Sequence, residues 1–184
     1  MTFTKKAIHW LWIAAGAASF LMVAWPAEAY TDLDAERASA LLAEAKTESF
    51  QLKQDASEMA SFNQSALSWE THADKLREIK EHVNQVGEIV AQLKLARPGA
   101  APWQQVAIDR VYPLMEELAL NVQGTIGHLR IDPEHLQDPW YKEYLTTTAE
   151  LASKISALVA DFADYGEAKG KLVKLSEKLK IAER

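Results

Sequence analysis

The side chain best placed to do chemistry in this sequence is His72. From Ser68 to Leu93, alternating steps of three and four residues run through Trp69, His72, Leu76, Ile79, Val83, Val86, Val90 and Leu93. The imidazole therefore belongs to the apolar stripe of an amphipathic helix. There it can ligate a metal or a haem iron, or stay neutral and exchange a hydrogen bond with a neighbour. Met59, on the preceding periodic segment, would add a thioether and complete the Met/His pair of a non-covalent haem. Two further pairs have ligand-like spacing: Glu78 and His82 four apart, and Asp132 and His135 three apart. Neither is the Glu-x-x-His of carboxylate-bridged di-iron bundles. Glu78 and His82 are expected to share an exposed face, where such a pair contributes a few tenths of a kcal/mol, roughly, or a weak surface chelate.

The rest of the composition narrows the chemistry. With no cysteine, the chain has no disulfide, no thiolate zinc site, no thiol nucleophile and no covalent C-x-x-C-H haem attachment. A net charge of −6 supplies no broad basic face for phosphate contacts, so nucleic acid is not an expected partner. No Gly-rich phosphate loop, nucleophile elbow or Ser/His/Asp arrangement is recognisable, and the expectation is a protein without enzymatic activity and without a cofactor.

Four periodic segments must position His72. The first runs from about Asp32 to Phe62 with Ala38, Leu42, Ala45, Ser49, Leu52, Ala56 and Met59 on one stripe, built mainly of small residues that let a neighbour approach closely. The second starts at Ser65 or Ser68 as N-cap and stops at Arg97 to Gly99. The third begins near Pro102 and carries Ile108, Val111, Met115, Leu118, Val122, Thr125 and Leu129. Pro113 inside it predicts a kink or a broken first segment near Tyr112. Two Asp-Pro pairs, Asp132-Pro133 and Asp138-Pro139, predict one short helical turn and then a long final helix through Tyr141, Tyr144, Thr148, Leu151, Ile155, Leu158, Phe162 and Tyr165.

Short connections between long amphipathic helices imply an all-α fold, an antiparallel up-down-up-down four-helix bundle with an extended C-terminal helix. The competing arrangement is a pair of hairpins assembled with a second copy, since heptads also build coiled coils. Reflecting positions through the turns sets His72 level with Met59, Thr125 and Tyr144, and a hydrogen bond to Tyr144 or Thr125 would satisfy it. The next layer holds Phe62, Trp69, His128 or Leu129, and Tyr141, with Trp140 beside it. Trp69, His72, His128, Trp140 and Tyr144 thus form the candidate ligand or partner surface at one end of the bundle. His72 and Met59 are the weak metal candidates.

The two chain ends carry separate signals. Lys5 and Lys6, an apolar run from Trp10 to Trp25, and the small residues of Ala27 to Ala29 read as a secretory signal peptide over 1–29, cleaved before Tyr30; the competing reading is an uncleaved membrane anchor. This predicts a periplasmic or secreted protein whose bundle spans 30–166. Residues 167–184 form a basic amphipathic extension with six basic residues against three acidic, whereas Tyr30 to Gly166 holds 12 against 22. Leu172, Leu175 and Leu179 with Lys174 and Lys178 are candidate contacts to a partner helix, a second copy or an anionic lipid surface, although a Lys-rich solvated helix end has the same pattern.

The stretches "SWETHADKLREIKEHVN", "PWQQVAIDRV" and "ISALVADFADYG" resemble small exported helical proteins of bacteria, over roughly Trp69 to Gly166. That resemblance implies export and a helical bundle, and it carries no activity, ligand or catalytic residue. The combined expectation is an exported, non-enzymatic helical-bundle protein acting as a binding or interaction module in the cell envelope. The alternative is a haem- or metal-binding bundle that uses His72.

Overall fold

The computed structural model describes residues 27–180, with side chains from residue 33 onward. The predicted leader lies almost wholly outside the described residues, as do the last four positions of the tail. Four helices follow in order: α1 (Ala27–Ser61), α2 (Trp69–Ala96), α3 (Pro102–Ile131) and α4 (Pro139–Leu179). No strand occurs among the described residues. Each helix packs against its sequence neighbours and α4 closes on α1, while the α1–α3 diagonal scarcely touches. This is the antiparallel four-helix bundle predicted from the short connections.

The helix boundaries follow local chemistry. Ser68, the second of the two proposed caps, is extended and its Oγ accepts from the Thr71 N–H at 3.4 Å. Pro102 occupies the first turn of α3, where its missing N–H costs no hydrogen bond, and the Gln104 side chain reaches back to the Ala101 N–H at 2.8 Å. Asp138 caps α4 by accepting from the Trp140 N–H at 2.9 Å. The first Asp-Pro pair does not start a helix. Residues 132–138 form two successive turns, closed by His135 N–H to Asp132 O and Asp138 N–H to His135 O.

The predicted stripes of α1 and α3 are buried throughout, and α2 buries every stripe residue except Trp69. In α4 the buried face is rotated part-way from expectation: the predicted Tyr141, Thr148, Leu151 and Ile155 are buried together with Leu145, Ala152 and Val159, while Tyr144, Leu158 and Phe162 are half-buried and Tyr165 is exposed. Both phases of this helix are apolar, so periodicity alone cannot choose between them. Contacts with α3 decide it. Asn121 donates to the Tyr144 carbonyl and the Thr148 hydroxyl at 2.9 and 2.7 Å, and the Tyr144 ring lies across Gly124, where a Cβ would stand 3.2 Å from it.

Helix α4 outlasts the bundle. From Glu167 to Lys180 every residue except Ser176 is exposed, including Leu172, Leu175 and Leu179. The helix ends at Lys180 in the left-handed conformation at φ 52°.

The expected break near Tyr112 does not occur, and α3 runs unbroken through Pro113. Pro113 and Asp109, whose carbonyl loses its partner, both lie on the exposed side, where water can take over the bond. The missing bond and the ring clash still weaken the helix, by up to about 3 kcal/mol. Pro113→Ala is accordingly expected to stabilise the protein by about 1–3 kcal/mol, read as a rise of roughly 2–4 °C in melting temperature per kcal/mol. An unchanged or lowered midpoint counts against this account.

Candidate functional site

His72 sits in the first turn of α2, fixed there by the Ser68 cap, and is 2% exposed. Its Nδ1 shares a 2.9 Å hydrogen bond with the hydroxyl of Tyr141, which the Asp138 cap and Pro139 place in the first turn of α4. Phe62, in the turn after α1, meets the imidazole edge-on with centroids 5.1 Å apart. His128, near the end of α3, stacks on Tyr141 at 5.3 Å and 25°. Four rings, one from each helix or its adjoining turn, thus close this end of the bundle.

Burial lowers the pKa of the His72 imidazole and raises that of the Tyr141 phenol, because each charged form would lose water without gaining an opposite charge. The pair is therefore neutral near pH 7. His128 Nε2 and Asn63 Oδ1 are buried nearby without a hydrogen-bond partner.

The predicted partner of His72 needs correcting. Tyr144 faces Gly124 instead, and Thr125 Oγ1 donates to the Asn121 carbonyl of its own helix at 2.8 Å. The true partner, Tyr141, had been placed one layer farther out. With Tyr141 bonded to His72 and Phe62 against it, a haem on His72 and Met59 would have to displace both rings. Glu78 and His82 also depart from expectation. Glu78 pairs with Lys75 at 2.7 Å, while His82 turns into the α1–α2 seam, 3.2 Å from Asp55 and 3.8 Å from Glu48. His135 hydrogen-bonds Asp132, which raises its pKa, on the exposed turn before α4. Among the described residues no three His, Asp or Glu side chains converge as a metal site would require.

Of the surface candidates, Trp140 is 69% exposed and Trp69 is 47% exposed. Trp69 forms one wall of an open-sided cleft of about 390 Å³ between α2 and α3. Ala73, Leu76, Ile126 and Leu129 make its floor, Pro133 closes it near the α3–α4 turn, and Arg77, Lys80 and Arg130 line its rim. These three cations were missed in the sequence. Each sits beside a stripe residue on a different turn or helix, and only pairing α2 with α3 brings them together. The tail candidates Leu172, Lys174, Leu175, Lys178 and Leu179 are exposed on α4, at the other end of the bundle from this cleft.

Removing the phenol should leave His72 buried without its partner, so Tyr141→Phe is expected to cost about 1–3 kcal/mol in urea unfolding. The imidazole also makes stability depend on pH. Its folded pKa lies below the unfolded value of about 6.5, so the unfolded chain binds the proton more readily. Stability should therefore fall as pH drops below about 6.5 and level off beneath the folded value, and His72→Gln should flatten that slope. Parallel slopes for the two proteins would show that His72 is not the titrating group. Compared with family models, curated proteins and solved structures, the chain finds no match.

Proposed function

We propose that this protein is an exported, non-enzymatic binding module of the cell envelope, periplasmic or secreted, whose ligand surface is the aromatic end of the bundle. The observation that carries the reading is the α2–α3 cleft, a concave apolar surface beside a half-exposed tryptophan. Its volume of about 390 Å³ falls within the roughly 300–1,000 Å³ of small-molecule sites. Its floor is made of Ala73, Leu76, Ile126 and Leu129, which carry no reactive group. Export rests on the basic, apolar and small-residue succession before Tyr30. The basic end of α4 supplies a second contact, to a partner protein or another copy, through Leu172, Leu175 and Leu179.

Full-length chain expressed in a bacterial host is expected in the periplasm with Tyr30 as its first residue. An uncut chain retained in the cytoplasm would overturn the export reading. The recovered protein should bind the neutral fluorescent probe N-phenyl-1-naphthylamine saturably at one site, and Ala73→Trp, which fills the cleft, should abolish that binding. Probe binding indifferent to Ala73→Trp places the ligand surface elsewhere. Deleting Leu172 to Arg184 is expected to leave the melting temperature unchanged, since these side chains stand outside the core, and to remove any self-association detected by light scattering.

A further inference from the structure

The cleft has a sign as well as a shape. Its rim collects Arg77, Lys80 and Arg130 in a body where acidic residues outnumber basic ones 22 to 12 between Tyr30 and Gly166. Arg77 is held by Asp74 at 2.7 Å. Lys80 and Arg130 form no ion pair among the described residues, and they line the cleft from α2 and α3 respectively. Leu76 and Leu129 in the floor belong to the core and are 2% and 7% exposed. Another groove, between α1 and α2, differs in charge and is lined by Glu44, Glu48 and Glu88.

We infer that the α2–α3 cleft takes a single-chain amphiphile with an anionic head, such as a medium-chain carboxylate, its alkyl chain over Leu76, Ile126 and Leu129 and its head against a cation of the rim. This rests on the binding-module reading and adds the chemical class. Cations at the rim of an apolar groove favour a carboxylate, sulfate or phosphate oxygen through charge-assisted hydrogen bonds, with Arg able to hold it in bidentate fashion. The same cations repel an ammonium head. The occupant is one chain rather than a bilayer, because the apolar surface is recessed between two helices and has room for little more than one alkyl chain. Exposed Trp140 and Ile131 near this end provide the contrasting, flat route to a membrane, and the experiment separates the two.

With the full chain and bound N-phenyl-1-naphthylamine, laurate, dodecanol and dodecylamine are titrated below their micellar concentrations. Laurate is expected to displace the probe at a concentration at least about tenfold lower than dodecylamine, a difference of about 1.4 kcal/mol. The double variant Lys80→Glu/Arg130→Glu should erase or invert that order while dodecanol displacement stays as it was. Both side chains are exposed, and Lys80→Gln/Arg130→Gln serves if charge reversal impairs folding. Equal displacement by all three heads overturns the anionic assignment and leaves the binding cleft standing; failure of the probe to bind overturns both. Sedimentation with vesicles of anionic phospholipid, lost in the double variant, would make the bilayer the occupant and also overturn the inference.

Discussion

Without a cysteine to cross-link it, the bundle is held by packing alone, and the constraint on which that packing depends is the small-residue stripe of α1. Ala38, Ala45, Ser49 and Ala56 are fully buried where α1 meets α2 and α4. A stripe of such short side chains lets the two neighbours close on α1, and larger residues at the same positions would force them apart. The bulk that fills the core comes mostly from the facing helices, through Leu76, Ile79, Leu93, Ile108, Leu118 and Ile155. The cleft of about 390 Å³ lies in a groove between α2 and α3.

Apolar packing of this kind tolerates sliding, and polar side chains fix the register. Asn63 reaches from the turn after α1 to the Lys142 carbonyl and Thr146 on α4, and Asn121 ties α3 to α4. Gln104 links the start of α3 to the Ala35 carbonyl and Ser39 on α1 at 2.8 Å each. Lys75 joins α2 to Asp55 and Glu58 on α1, and the attraction of these carboxylates outweighs burial and raises its pKa. The His72–Tyr141 bond belongs to this set. A helix shifted by one turn would strand each of these groups, and for a buried donor or acceptor that costs about 1–3 kcal/mol.

How far the sequence could be read follows from which signals are local. Caps, prolines and the stripes of the first three helices lie within single segments, and their apolar and polar faces are distinct enough to set the phase. Helix α4 offers two apolar faces, Tyr144 with Leu158 or Leu145 with Val159, and only Gly124 and Asn121 on another helix select the second. That rotation is why Tyr141 rather than Tyr144 meets His72. His82 was misplaced for a related reason: its acidic partners Glu48 and Asp55 are on α1, and nothing around His82 in the sequence announces them. The rim of the cleft was equally illegible, because Arg77, Lys80 and Arg130 become one feature only when α2 and α3 lie side by side.

Two groups of cations lie far apart on this acidic protein. Arg77, Lys80 and Arg130 stand at the aromatic end, while Lys171, Lys174, Lys178 and Lys180 extend from the other. From Tyr141 to Leu172 along α4 the separation is about 46 Å at the rise of an α-helix. This exceeds the screening length of about 8–10 Å several-fold, so neither cluster perturbs the other's field at physiological salt. Nor can a ligand in the cleft touch the tail directly.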